Sequence, residues 1–114
     1  MAFHKQKLAE AVRELAAEFL AREDGGQSLI TVTRVDIVER EHKAIVYITV
    51  LPREKEGSAV DFANRRSPEL RAFFKERSRF RVLPRAEFRI DEGEKNRQRM
   101  DELSHEAEKQ AKGA

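Results

Sequence analysis

Apolar residues recur along the chain at two spacings, and each spacing predicts a different kind of element. Near the N-terminus the steps are four, three and four residues, typical of one face of a helix. The residues on this face are Leu8, Val12, Leu15 and Phe19. We therefore predict a helix from about His4 to Arg22. It should end at Gly25 and Gly26, which favour the left-handed conformation common at helix exits.

Two segments rich in β-branched residues follow, and they predict two strands. The first, "SLITVTRVDIV", alternates imperfectly, which indicates a bulge or partial cover on both faces. The second is "KAIVYITVL", with Ala44, Val46, Ile48 and Val50 on one face and Ile45, Tyr47 and Thr49 on the other. A short polar link from Glu39 to His42 joins them, so we predict a β-hairpin.

Beyond Pro52 the spacing becomes helical again. A short helix is predicted to begin near Ser58, and a second is predicted from Ser67 to about Glu76. Ser67 offers a capping oxygen and Pro68 suits a first helical position, so a kink should separate the two helices. Apolar residues then return at strand spacing in "RFRVLPRAEFRID", which predicts a third strand from Arg85 to Asp91.

This order of elements predicts an α/β fold, more closely an α+β sandwich, with helices packed on one face of a three-stranded mixed sheet. The strands on either side of the two helices require a crossover connection. We expect residues 4–91 to form this domain. Residues 92–114 form a polar tail, helical or partly disordered, whose large apolar residues, Met100 and Leu103, would form a small docking stripe.

Composition narrows the functional class. The chain has 114 residues, enough for one modest core, and no cysteine, which excludes disulfides and thiolate metal sites. We see no apolar run of signal or membrane-span length, so a soluble intracellular protein is the default expectation. We also expect the protein to be cytoplasmic and monomeric. The net charge is only +2, but residues 65–85 carry +6 and the remainder −4. Such asymmetry indicates a polyanionic partner, or simply a solvated basic helix face.

We define the basic strip as the cations of this segment: Arg65, Arg66, Arg71, Lys75, Arg77, Arg79, Arg81 and Arg85. Helical spacing puts Arg71 and Lys75 on the face opposite the apolar residues Leu70, Phe73 and Phe74. In an extended segment the next three arginines would share one side, with Phe80 and Val82 on the other. We therefore predict that apolar side chains anchor the strip while its cations project outward. The phenylalanines at these spacings are interpreted as core residues rather than base-stacking platforms.

Four stretches of the sequence resemble the ribosome-binding factor A family. They are "LITVTRVDIV", "HKAIVYITVL", "RFRVLPRAEFRIDEG" and "RQRMDEL", in this order, and the resemblance runs from about Lys7 to Leu103. The family implies a type II KH-like domain, with the order helix, strand, strand, helix, kink, helix, strand. It also implies a bacterial factor that binds the RNA of free small ribosomal subunits during their maturation and has no catalytic activity.

One local feature departs from RNA-binding KH domains. These domains hold phosphates at a Gly-x-x-Gly loop between paired helices, and this sequence lacks one. The family has an Ala-x-Gly kink instead, and Arg66, Ser67 and Pro68 occupy the corresponding place. The resemblance implies binding to small-subunit RNA, and together with the charge pattern it favours RNA contact through the basic strip. For Arg97 and Arg99 in the tail, RNA contact and simple solvation both stay open.

The sequence gives no support for catalysis, a metal or a cofactor. Its three histidines, His4, His42 and His105, are scattered, and Glu39 and Glu41 flank a turn as solvated charges. A second functional hypothesis, from a different class, is a protein-interaction module whose acidic first helix and tail bind a basic partner.

Overall fold

The computed structural model describes residues 2–24 and 26–113, with side chains described for residues 4–24 and 26–108. The elements are α1 (Ala2–Glu23), β1 (Leu29–Val38), β2 (Lys43–Leu51), α2 (Glu56–Arg65), α3 (Ser67–Arg77), β3 (Arg85–Ile90) and α4 (Glu92–Gly113). The predicted order of elements is confirmed. Of the two glycines predicted at the exit of α1, Gly26 has a φ of 79°, and Gly25 lies outside the described residues.

The sheet is mixed and open, with the strand order β1-β2-β3. β1 pairs with β2 in an antiparallel hairpin, and β2 pairs with β3 in parallel after the crossover through α2 and α3. The register shifts between Val32 and Arg34, so Thr33 lies in a bulge. The bulge explains the imperfect alternation of β1, because Val32 faces the helices before it whereas Val35 and Ile37 do so after it.

The core lies between the sheet and the helices α1, α2 and α3. The predicted inward face of β2 is confirmed, since Ala44, Val46, Ile48 and Val50 are all buried. The predicted phenylalanine core is also present: Phe73, Phe74 and Phe88 are buried, and Phe80 is half-buried against them. The cations that follow or interrupt these residues in the sequence must therefore project away from this core.

Side chains of the α2–α3 kink cover the outer edge of β3. The amide of Asn64 accepts from the Phe88 N–H at 2.8 Å and donates to the Phe88 carbonyl at 3.2 Å. The Ser67 hydroxyl donates to the Ala86 carbonyl at 2.6 Å. Ser67 is therefore not the helix cap that its place before Pro68 predicts. Arg66 occupies the N-cap position of α3, without a side-chain cap.

The polar tail forms α4, which is attached by polar contacts. The Asp91 carboxylate accepts from the Glu94 N–H at 3.0 Å, and the Lys95 ammonium lies 2.9 Å from Glu56. Met100 and Leu103 are 63% and 51% exposed, so they do not form the predicted docking stripe. The boundary that we predict between a domain at 4–91 and a tail at 92–114 stays a prediction.

Candidate nucleic-acid interface

The outer surface of α3 and the start of β3 bring three cations of the basic strip close together. Arg71 and Lys75 lie one turn apart on the exposed face of α3. Arg85 is the first residue of β3, and it lines a cavity of about 400 Å³ with Arg71 and the kink residues Ser67 and Pro68. The Arg71 Nε donates to the Leu83 carbonyl at 3.2 Å, which fixes this side chain against the loop that leads into β3.

Two arginines of the strip are instead neutralised by glutamates of α1. Arg66 lies 2.9 Å from the Glu23 carboxylate, and Arg77 lies 3.1 Å from that of Glu18. Each guanidinium also stacks on an aromatic ring, Arg66 at 5.6 Å from the centroid of Phe62 and Arg77 at 4.9 Å from that of Phe73. These contacts connect α1 to α3 and to the kink between α2 and α3, so both arginines stabilise the packing of these helices.

Arg79 and Arg81 lie in the loop between α3 and β3, at positions that the sequence predicts to be extended. The structure corrects the prediction that Arg77 continues this row, because Arg77 is the last residue of α3. The anchoring residues are found as expected: Phe80 is half-buried, with its ring 5.8 Å from that of Phe74 in an edge-on arrangement. Both loop arginines are exposed and border a cleft against α1.

The remaining cation of the strip, Arg65, lies at the end of α2. It lines a separate cavity with Lys55, Glu23 and Asp24, beside the C-terminal end of α1. The structure therefore divides the strip into four parts. They are the cations on α3 and the start of β3 (Arg71, Lys75 and Arg85), the two loop arginines (Arg79 and Arg81), the two ion-paired arginines (Arg66 and Arg77), and Arg65. Among the described side chains, no carboxylate lies within 4 Å of the following cations: Arg65, Arg71, Lys75, Arg79, Arg81 and Arg85.

On the opposite, helix-free face of the sheet, three cations, Lys43, Arg89 and Arg34, are paired with carboxylates. Lys43 lies 3.2 Å from the Glu87 carboxylate, which Arg89 also contacts, and these two partners lower the pKa of Glu87. Arg34 lies 3.5 Å from Asp36 and 3.9 Å from the centroid of the Tyr47 ring. Unlike these cations, Arg71 and Lys75 of α3 and Arg79 and Arg81 of the following loop are exposed without a carboxylate partner among the described side chains.

The sequence reasoning missed the buried carboxylate of Asp91. The hydrogen bond from the Thr33 hydroxyl, at 2.6 Å, lowers the pKa of Asp91; the Glu94 N–H and nearby Arg34 act in the same direction, while burial opposes them. Asp91 fixes the junction of β3 and α4, where Arg97 lies 3.3 Å from Glu94. An aspartate just before a polar helical segment is a capping signal, but its bond to the bulge residue Thr33 spans 58 positions.

The described residues contain no group of three or more histidine or acidic side chains arranged to hold a metal ion. His4 pairs instead with Glu41 at 2.9 Å. Within the same part of the chain, no helix is both long and apolar enough to cross a membrane.

Comparisons with known proteins agree on one family. Residues 4–104 match the family model described as Ribosome-binding factor A. The crystal structure of ribosome-binding factor A from Thermus thermophilus is 26% identical, with a TM-score of 0.68, and the match covers 75% of this chain and 94% of that one. A solution structure from Thermotoga maritima, described as a putative ribosome binding factor A, is 26% identical, with a TM-score of 0.64. This match covers 78% of this chain and 88% of that one. No curated protein sequence matches the chain.

Proposed function

Because the chain belongs to the ribosome-binding factor A family, we propose that it is a non-catalytic factor for maturation of the small ribosomal subunit. It docks on small-subunit ribosomal RNA through the basic strip. It acts in the cytoplasm as a monomer, on free small subunits, and takes part in ribosomal RNA processing by holding an RNA segment until maturation is complete. Family membership supports ribosome association, and the charge distribution supports the choice of surface.

The observation that carries the proposal is the set of exposed cations without a carboxylate partner around α3 and the following loop. An arginine that already pairs with a glutamate gains little from a phosphate, because it must first give up its partner. Arg71, Lys75 and Arg85 have no such cost, and they lie on adjacent elements. Binding of phosphates by such groups releases condensed counterions, so affinity should fall steeply with salt.

The anchoring of the surface matters as much as its charge. The Arg71 side chain is held by the Leu83 carbonyl, and the backbone of Arg85 is held in β3 by the bond from its N–H to the His42 carbonyl. Side chains that are already positioned lose less conformational freedom on binding than freely rotating ones. The kink at Arg66, with Pro68 in the first turn of α3, lies beside this cationic surface and has no glycine loop like that of RNA-binding KH domains.

A charge-reversal pair tests the proposal. Arg71→Glu with Lys75→Glu should lower affinity for small-subunit ribosomal RNA by at least tenfold and reduce the slope of log affinity against log salt by roughly 2. The matched control is Lys5→Glu with Arg40→Glu, an equal charge change at exposed positions outside the strip. Unchanged RNA affinity in the first pair, or an equal loss in both, would overturn the proposed site.

Co-sedimentation addresses the partner. The chain should sediment with free small subunits and not with mature joined ribosomes, and the Arg71/Lys75 pair should abolish this association. Association that survives the charge reversal and depends instead on a basic protein would favour the protein-interaction hypothesis.

A further inference from the structure

The cleft between α1 and the loop from Ser78 to Pro84 has an apolar interior and a cationic rim. Its volume is about 370 Å³, within the range of roughly 300–1,000 Å³ found for small-ligand sites. The apolar lining comes from Leu8, Ala11, Phe80 and Val82, and the rim from Lys7, Arg79 and Arg81. Glu41, the one acidic residue among those that line it, is engaged by His4 at one end.

The loop that forms one wall of this cleft is fixed at both ends. The Ser78 hydroxyl donates to the Phe74 carbonyl at 2.6 Å and accepts from the Phe80 N–H at 3.4 Å. At the far end, Arg71 donates to the Leu83 carbonyl, and Pro84 is buried. The edge-on contact between Phe80 and Phe74 sets the position of the ring that borders the cleft. The wall is thus pre-organised, which lowers the cost of binding.

We propose that this cleft binds one unpaired nucleotide of the RNA, with its base against Ala11, Phe80 and Val82 and its flanking phosphates on Arg79 and Arg81. This inference rests on the proposed function and adds the form of RNA that is recognised. A polyanion is favoured because the two exposed arginines have no carboxylate within 4 Å among the described side chains. RNA is favoured over an acidic peptide because these arginines are continuous in the sequence with the rest of the basic strip.

The apolar interior distinguishes an unpaired base from a duplex. An RNA duplex presents its phosphates and sugars to a protein surface, and its stacked, paired bases cannot enter a recess in that surface. Single-stranded segments can turn a base outward and place it on aromatic or apolar side chains. A site that combined phosphate contacts with a filled recess would therefore prefer single strands.

The test compares fluorescently labelled RNA of one sequence as a single strand and annealed to its complement. The native chain should bind the single strand more tightly than the duplex. Ala11→Leu adds bulk to the apolar interior without changing charge, and it should lower the ratio of single-strand to duplex affinity by about tenfold. The matched control is Ala21→Leu, at an exposed position of the same helix outside the cleft, which should keep the native ratio. An unchanged ratio in Ala11→Leu would overturn the inference.

A second measurement tests the inference independently, even if Ala11→Leu does not fold. The chain contains no tryptophan, so Val82→Trp gives a single reporter in the loop wall. Single-stranded RNA should quench its fluorescence and duplex should not. Equal responses to both RNAs, or stronger displacement by a peptide with acidic and aromatic residues, would overturn the nucleotide assignment.

The two proposals fail in different ways. If the native chain binds small-subunit ribosomal RNA but shows no preference for single strands, the cleft inference alone fails. If it binds neither that RNA nor free small subunits, the proposed function fails as well.

Discussion

The buried carboxylate of Asp91 gives the sharpest test of how this fold is held together. Asp91 is 9% exposed and joins three elements. It accepts the Thr33 hydroxyl of the β1 bulge at 2.6 Å and the Glu94 N–H of α4 at 3.0 Å, directly after the end of β3. Replacing it with alanine should therefore loosen the bulge and the start of α4 together.

The magnitude follows from these two bonds. A hydrogen bond to a charged group contributes about 1.5–3 kcal/mol, and losing an N-cap side chain costs about 0.5–2 kcal/mol. For Asp91→Ala we expect a loss of about 2–5 kcal/mol in the free energy of unfolding. At roughly 4 °C per kcal/mol for a domain of this size, Tm should fall by roughly 8–20 °C. Asp91→Asn keeps an acceptor but not the charge, and it should lose about half as much.

Protonation of Asp91 in acid should remove the contribution of its charge to the free energy of unfolding. The pKa of Asp91 is lowered in the folded state, chiefly by Thr33. Its contribution is therefore fully present above the unfolded pKa of about 3.9 and is lost as pH falls through the folded value. The stability difference between the native chain and Asp91→Asn should stay constant from neutral pH to about pH 5 and then shrink below about pH 3.5.

Urea unfolding followed by far-UV circular dichroism measures both effects. Asp61→Ala is the matched control, because Asp61 is exposed on α2 and the substitution removes the same charge. Its effect should stay within about 0.5 kcal/mol. The reasoning is refuted if Asp91→Ala is no less stable than this control, or if the difference between native and Asp91→Asn persists undiminished in acid.

Three further predictions concern the strand edge, the ion-paired arginines and the tail. Asn64→Ala leaves the Phe88 N–H and carbonyl without their side-chain partner, so urea unfolding should show a loss of about 1–3 kcal/mol, with the exposed Asn96→Ala as control. Arg66→Gln should weaken ribosomal RNA binding less than Arg85→Gln in a filter-binding assay, because Glu23 already neutralises Arg66. An equal or larger effect of Arg66→Gln would contradict the distinction between ion-paired and unpaired cations of the strip. Met100→Ser combined with Leu103→Ser should change the free energy of unfolding by less than about 0.5 kcal/mol, since both side chains are exposed. A larger loss would show that they dock after all.

Much of the fold could be predicted because its signals are local. The apolar stripe of α1 and the period of two in β2 identify a helix and a strand from neighbouring residues alone. Both predictions are confirmed, with α1 spanning Ala2–Glu23 and β2 spanning Lys43–Leu51. A bulge is one of two explanations for the irregular alternation of β1. The register shift between Val32 and Arg34 decides in its favour.

The errors arise where a distant partner changes the role of a local signal. Ser67 before Pro68 has the local pattern of a helix cap, but its hydroxyl donates to Ala86 in a strand 19 positions away. The alternation around Arg77 predicts an extended row, but α3 continues to this residue and Glu18 holds its side chain. In both cases the competing partner lies on another element, which spacing along the chain does not reveal.

Distant partners also explain why a charge count overestimates the unpaired positive charge of the basic strip. The sequence assigns +6 to residues 65–85, and all eight cations look equivalent in it. In the fold, Glu23 and Glu18 of α1 neutralise Arg66 and Arg77, and those carboxylates border one side of the strip. A phosphate backbone would gain little from these neutral ion pairs and would be attracted to the unpaired cations on the outer face of α3 and the following loop. The pairing with α1 therefore leaves Arg71, Lys75, Arg79, Arg81 and Arg85 as the strip cations of α3, the following loop and β3 that have no carboxylate partner among the described side chains.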